Sequence, residues 1–231
     1  MRKIYENGNY LKSNPTWHER DSSWKAKQIM KIIKRNNIHP STICEIGCGA
    51  GEILNQLSQQ FDDSINYYGY EISPDAFEIC KKKKREKLDF IYKDLFEERE
   101  RTFDIIMAID VFEHVEDYYG FLRKLRGKAK YKIFHIPLDL SVQTILRRSP
   151  LLKKRKSVGH IHYFTKDTAL AALEDVGYRI MDYFYTGSQL ELPHIGWKTR
   201  LLKFPRKLFY LFNKDLAVRI LGGFSLMVLT Q

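Results

Sequence analysis

The 231-residue sequence has no apolar run long enough to span a bilayer, and no apolar stretch follows its basic first residues. Neither a transmembrane helix nor a secretory signal is expected. Cysteine is scarce. Cys44, Cys48 and Cys80 are an odd number without metal-type spacing, which argues against a disulfide framework and for an intracellular, reducing compartment. Cys44 and Cys48 read as buried free thiols on a strand and its loop. No Gly-Lys-Ser or Gly-Lys-Thr occurs, so a triphosphate-binding loop is excluded. Internal repeats are absent.

Acid is also in short supply: 28 Asp and Glu stand against 39 Lys and Arg, a net charge of +11. The excess is uneven. Arg123 to Lys156 holds twelve Lys and Arg and one acid, Asp139, an excess equal to that of the whole chain. A second basic patch, Lys198, Arg200, Lys203, Arg206 and Lys207, lies among leucines and phenylalanines. Such patches favour an anionic partner: a membrane surface, a phosphorylated substrate or a nucleic acid. High lysine content as a solubility device is the alternative. With 44% hydrophobic residues the chain has enough apolar surface for a core, and its length suits one decorated domain.

Apolar segments of two periods take turns along the chain. A helix is predicted from Asp21, with Trp24, Ile29, Ile32 and Ile33 on one face, ending at Asn36-Asn37. Strands are predicted at Thr42–Ile46, Asn66–Glu71, Phe90–Tyr92, Phe103–Ile109 and Tyr131–Ile136, the last ended by Pro137. Helices are predicted at Glu52–Gln60, Pro74–Lys87, Tyr118–Leu125 and Thr165–Asp175. The runs Lys81–Lys87 and Glu97–Arg101 read as solvated helix faces. Tyr178–Tyr185 and Phe224–Thr230 alternate as strands that can pair antiparallel. This order predicts an α/β sheet, mostly parallel with an antiparallel last strand, and helices on both faces.

ICEIGCGAGE, Ile43 to Glu52, sits in the first strand-to-helix turn, where an open α/β sheet binds its ligand. Gly47, Gly49 and Gly51 leave out side chains so that backbone can approach that ligand. A dinucleotide fingerprint counted from Gly47 would need glycine at position 52, where Glu52 stands. Glu45 adds negative charge at the root of the loop, unfavourable for a pyrophosphate and favourable for a cationic ligand.

EIGCGAG resembles the first motif of class I S-adenosylmethionine-dependent methyltransferases. Three further stretches follow in that family's order. Glu71, ending YYGYE, matches the acid that holds both ribose hydroxyls, with Ile72 beside it. Asp94 in YKDLF matches the acid near the adenine amino group, with Leu95 supplying adjacent backbone. FDIIMAIDVFEHVED resembles the fourth strand and its loop, with Asp110 and His114 beside the cofactor's reactive end. Simpler readings remain: Glu71 as a solvated strand end, Asp94 as a loop cap, and Asp110 and His114 as structural groups at a helix start. The resemblance covers roughly residues 20 to 185 and, more loosely, the final strand. It is nearest to the small-molecule branch that includes ubiquinone-type biosynthetic enzymes. It implies a Rossmann-like doubly wound fold, S-adenosylmethionine as cofactor and a small-molecule acceptor, with O-methylation the expected reaction.

His114, His160 and His162 are the candidate general bases for a hydroxyl acceptor. His160 and His162 in GHIHYFT are two apart and would face one way in an extended segment. That spacing also suits a metal, but no acid or cysteine cluster accompanies it in sequence, so no metal is expected. Residues 1–38 are expected to form a helical segment over the cofactor site, with Tyr10, Trp17 and Trp24 offering aromatic faces. Lys25 either reaches a carboxylate or lies on the surface. Residues 39–231 form the core, with basic cap insertions near 138–160 and 188–221. The cap suits an anionic or lipid- or sugar-linked substrate and an anionic membrane surface, which makes the expected location cytoplasmic and membrane-peripheral. The rival readings are an RNA methyltransferase, which lacks an added RNA module or N-P-P-Y motif here, and a non-catalytic cofactor-binding module.

Overall fold

The computed structural model describes residues 19–61, 64–147, 149–192 and 197–231. Tyr10 and Trp17 lie outside them. Seven strands form one sheet in the order β3-β2-β1-β4-β5-β7-β6. They are β1 (Thr42–Ile46), β2 (Asn66–Glu71), β3 (Leu88–Tyr92), β4 (Phe103–Ile109), β5 (Ala129–Leu138), β6 (Ile180–Thr186) and β7 (Phe224–Thr230). The first five pair parallel, and β7 runs antiparallel between β5 and β6. The expected mixed α/β sheet is therefore present.

Alternation along the strands feeds two cores. Ile105, Met107 and Ile109 of β4 join one, and Ile106 and Ala108 join the other, because successive side chains leave a strand on opposite faces. The first core is covered by α1 (Glu19–Arg35), α2 (Glu52–Gln60) and α3 (Pro74–Cys80). Ala26, Ile29, Ile32 and Ile33 of α1 are fully buried there, together with Leu54 and Leu57 of α2. Each buried Leu or Ile contributes about 1.5–3 kcal/mol. The second core is covered by α4 (Tyr118–Arg126), α7 (Lys166–Asp175) and α10 (Lys214–Leu221). Thr165 starts α7 with a capping box, satisfying orphan N–H groups at that end.

Several boundaries differ from expectation, most by one or two residues, and three differences have a visible physical cause. The helix expected over Pro74–Lys87 stops at Cys80, followed by one 3-10 turn at Lys81–Lys83. The lysine run has no apolar residue to bury, so it is not a solvated helix face. Instead Lys83 Nζ reaches the Ala50 carbonyl (2.7 Å) and Glu52 (3.1 Å), and Arg85 reaches Asn55 and Ser58 on α2. β5 does not end at Pro137 but continues to Leu138. The last hydrogen bond on its β4 side runs from Asp110 N–H to the His135 carbonyl. Alternate residues face alternate sides, so the N–H that Pro137 lacks would point where β4 has already ended. The last expected strand before β7 begins at Ile180, not Tyr178. The Tyr178 ring is buried and its hydroxyl donates to the Leu122 carbonyl at 2.8 Å.

The two segments expected as insertions are helical in their described parts: α5 (Val142–Arg147) and α6 (Ser149–Ser157), then α8 (Ser188–Glu191), α9 (Trp197–Phe212) and α10. No helix among the described residues is long and apolar enough to cross a membrane.

Candidate active site

The strand order reverses between β1 and β4, and a cleft of about 960 Å³ opens at the carboxyl ends of β1 to β5, where such sheets bind ligands. Its wall includes Glu45, Gly47, Gly49, Glu71, Ile72, Asp94, Leu95, Asp110, His114 and His160. Gly51 and His162, both expected to belong to the site, do not line it.

Gly51 serves packing instead. Its φ is +73°, and a Cβ there would stand 2.5 Å from the Phe90 ring and 2.8 Å from Cys80 Cβ. The missing side chain lets α2 start close against β3 and α3. His162 packs edge-on against Tyr118, and its Nε2 lies 2.9 Å from the Val115 carbonyl. The two histidines part because the segment is not extended. The N–H groups of Ile161 and His162 both donate to the Glu113 carbonyl, a turn-like arrangement, so the two-residue alternation does not apply.

Glu71 is held by backbone. Its Oε2 accepts from Gly49 N–H at 2.7 Å, and its Oε1 from Ile72 and Ser73 N–H at 2.8 and 2.7 Å. It is neither a solvated strand end nor fully open: a carboxylate has about four acceptor sites, so roughly one, on Oε2, is left for a ligand hydroxyl. Burial raises its pKa, and the three N–H bonds oppose that rise. Asp94 Oδ1 caps a 3-10 turn through Phe96 N–H at 3.0 Å, so it is a loop cap that also lines the cleft.

Glu45 is 1% exposed, and among the described residues its Oε2 accepts no hydrogen bond. Burial holds its pKa well above the usual carboxylate value, against the pull of Lys25. An orphaned buried carboxylate oxygen beside a glycine turn is suited to a cationic, hydrogen-bond-donating ligand group.

Asp110 is a residue of left-handed backbone, with φ +54°. Its Oδ1 lies 2.6 Å from His135 Nδ1 and its Oδ2 2.9 Å from Lys25 Nζ. Burial alone would raise its pKa, but His135 and Lys25 outweigh that and hold it well below the usual value. Lys25 is buried rather than on the surface, and Asp21 joins it at 3.1 Å. Burial opposes its charge, and the two aspartates overcome this and raise its pKa. His135 reaches on to Thr186 Oγ1 at 2.8 Å. Sequence reasoning missed His135, although an imidazole inside the apolar run IFHIP was a signal. Trp24 meets the His135 ring edge-on, and its Nε1–H donates to Glu191 at 2.6 Å.

At the far end stand His114 and His160, ring centroids 4.9 Å apart. His114 Nδ1 lies 3.1 Å from the Gly159 carbonyl, and His160 Nδ1 lies 2.6 Å from Asp139 Oδ2. Burial and the neighbouring His160 lower the His114 pKa to about 4, so the ring is neutral at pH 7. Lys154 of α6 also pairs with Asp139, tying the basic insertion to the end of β5. Asp139 and Glu113 were not singled out in the sequence, because neither has a local pattern.

A family described as "Methyltransferase domain" matches residues 16–183. The mitochondrial ubiquinone biosynthesis O-methyltransferase of Schizosaccharomyces pombe is 27% identical over 132 residues, 50% of this chain and 47% of that protein. The match thus spans about half the length of that relative. Among solved structures, magnesium protoporphyrin IX methyltransferase from Synechocystis PCC 6803 with bound SAH aligns at TM-score 0.60 and 16% identity, covering 90% of this chain and 82% of that one. A possible histamine N-methyltransferase from Thermotoga maritima aligns at TM-score 0.62 and 18% identity, covering 100% and 99%. At such identities the two structures speak for the fold.

Proposed function

This chain belongs to the methyltransferase-domain family, and from that premise we propose that it uses S-adenosylmethionine to methylate a hydroxyl of a small molecule. The observation that carries the cofactor reading is the orphaned Glu45 carboxyl group beside the Gly47–Gly49 turn, an acidic cradle suited to a cationic group and not to a phosphate. In this reading Glu45 faces the cofactor's cationic end, Glu71 Oε2 takes a ribose hydroxyl, and Asp94 and Leu95 border the adenine. S-adenosylmethionine supplies a methyl group on a sulfonium centre, whose leaving group needs no protonation. The chain's own task is to position the acceptor and exclude water. An acceptor hydroxyl at the far end of the cleft meets His114 and His160, where its proton can be lost. O-methylation is also what the printed name of the Schizosaccharomyces pombe relative states for that protein.

Calorimetric titration with S-adenosylhomocysteine tests the cofactor reading, with NAD as control. Wild type is expected to bind it, and Glu71→Ala to bind at least about tenfold more weakly, a loss of about 1.4 kcal/mol. Thermal melting checks that the variant is folded, because Glu71 also holds the Gly49 turn. Wild type that ignores S-adenosylhomocysteine, or prefers NAD, would sink the reading.

The acceptor we infer is anionic or lipid- or sugar-linked, met by a basic, apolar cap that docks on an anionic membrane. Leu146 is 77% exposed on α5 and Phe212 82% exposed on α9; Arg147 shares α5, Lys207 shares α9, and Lys153 and Lys156 lie on the adjoining α6. Exposed apolar side chains among cations suit an interfacial surface. The side chains of Lys198, Arg200 and Lys203 lie outside the described residues. Flotation with vesicles tests this: binding to anionic but not neutral lipid is expected, and equal recovery on both would refute it.

A further inference from the structure

We propose that Glu113, His114 and His160 form a binding site for a divalent transition-metal ion on the wall of the cleft. One ligand atom from each residue lies within 4.8 Å of the other two. The residues come from two separate stretches, the turn after β4 and the loop after α6, so no sequence spacing announces them.

Three observations carry the inference. The first is Glu113 itself. It is 1% exposed, and among the described residues neither carboxylate oxygen accepts a hydrogen bond. A carboxylate left in this state costs free energy unless something else meets it.

The second is the orientation of the two rings. His114 directs Nδ1 to the Gly159 carbonyl, and His160 directs Nδ1 to Asp139 Oδ2. Both of those atoms are acceptors, so each Nδ1 carries a proton, and each Nε2 is left as the ring atom able to offer a lone pair to an ion. The Nε2 atoms lie 3.8 and 4.0 Å from Glu113 Oε1. Two such atoms therefore face a carboxylate. These distances are too long for a hydrogen bond. They suit atoms that share an ion, since ligands at about 2.0–2.2 Å from one centre stand roughly 3–4 Å apart.

The third is the outer layer. An imidazole that ligates a metal usually donates its other N–H to a carboxylate or a backbone carbonyl. Here Asp139 serves His160 and the Gly159 carbonyl serves His114. Asp139 is in turn paired with Lys154.

Two imidazoles and one carboxylate suit Zn²⁺, Mn²⁺, Fe²⁺ or Co²⁺. Three protein ligands leave coordination positions open. His114 and His160 line the cleft, so those positions are reachable by an oxygen of the acceptor. An ion there would bind that oxygen and lower its pKa, with the proton released to water. Only this last consequence rests on the methyltransferase reading; the metal site itself does not.

The experiment is metal titration of chelator-treated protein. Wild type is expected to bind one Zn²⁺ or Mn²⁺ per chain by calorimetry, and to give visible Co²⁺ absorption bands of a nitrogen-containing site. Glu113→Gln and His160→Ala are expected to bind at least about tenfold more weakly. His162→Ala, which alters a ring outside the cleft, is expected to bind as wild type does. S-adenosylhomocysteine titration of each variant reads the fold and the cofactor site separately. Metal binding without S-adenosylhomocysteine binding would keep this site and sink the cofactor reading. Wild type that gives neither saturable heat nor Co²⁺ bands would overturn the proposal, whatever the variants do. So would equal weakening by His162→Ala, which would mark adventitious histidine binding.

Discussion

Glu45 shows how one carboxylate trades stability against binding. Its pKa is held well above the usual carboxylate value by burial. Above pH 4.5 the folded chain keeps a proton there that the unfolded chain has lost. The folded state is therefore favoured most below that pH, and this contribution disappears as pH rises through the raised value. Glu45→Gln removes the group that must hold a proton to stay buried. The variant is expected to be more stable than wild type by about 1–3 kcal/mol at pH 8, with the gap closing toward pH 5. A ligand ammonium group, which S-adenosylhomocysteine keeps after losing the sulfonium charge, should reverse the order when held there, because it stabilises the carboxylate. S-adenosylhomocysteine binding should thus release protons in wild type and not in Glu45→Gln. Urea denaturation at the two pH values, and calorimetry in buffers of different ionisation enthalpy, would show this. A stability gap independent of pH would mean that Glu45 is already ionised in the folded chain.

At the scale of elements, α1 matters because it carries Lys25 into the end of β4. The helix is anchored by its apolar face, and the ammonium group then meets Asp110 and Asp21. Lys25→Met is expected to destabilise the protein by about 1–3 kcal/mol at pH 7, because it leaves the half-buried Asp110 and Asp21 short of their cation. The Asp110 pKa is depressed, so its contribution is present above the unfolded value near 4 and lost as pH falls below it. The cost of Lys25→Met should therefore shrink below about pH 4. Denaturation midpoints of both proteins across pH 3 to 7 test this, and a cost that stays constant through that range would refute it. The same element shows why Lys25 was left undecided in the sequence. Helical periodicity places it beside Ala26 and Ile29 at the edge of the buried stripe, but it cannot say that β4 ends at the same height.

For the whole molecule, the net charge of +11 matters through where the cations gather. α5 packs against α10, which joins the two basic segments on one side. Leu146→Asp and Phe212→Asp are expected to reduce flotation with anionic vesicles at least about fivefold, while S-adenosylhomocysteine affinity stays unchanged. Each replaces an exposed apolar contact with a charge that anionic lipid repels. Retained flotation in both variants would place the lipid contact elsewhere.

Much of this molecule was legible one segment at a time. Five element spans, Thr42–Ile46, Glu52–Gln60, Asn66–Glu71, Phe103–Ile109 and Phe224–Thr230, agree with their observed bounds, because burial on one or two faces imposes a period of two or 3.6. The glycine turn and the acids Glu45, Glu71, Asp94 and Asp110 were legible because each sits at a strand end, and the parallel sheet brings those ends together. What only the tertiary structure decided depends on contacts between distant segments. Lys25 meets Asp110, His135 bridges to Thr186, and Glu113 faces His160 across 47 positions of chain. Gly51 became a packing residue because Phe90 lies over it, and His162 left the cleft because a single carbonyl bends its segment. Periodicity reports which side of an element is buried; it carries no information about which buried neighbour arrives there from elsewhere in the chain.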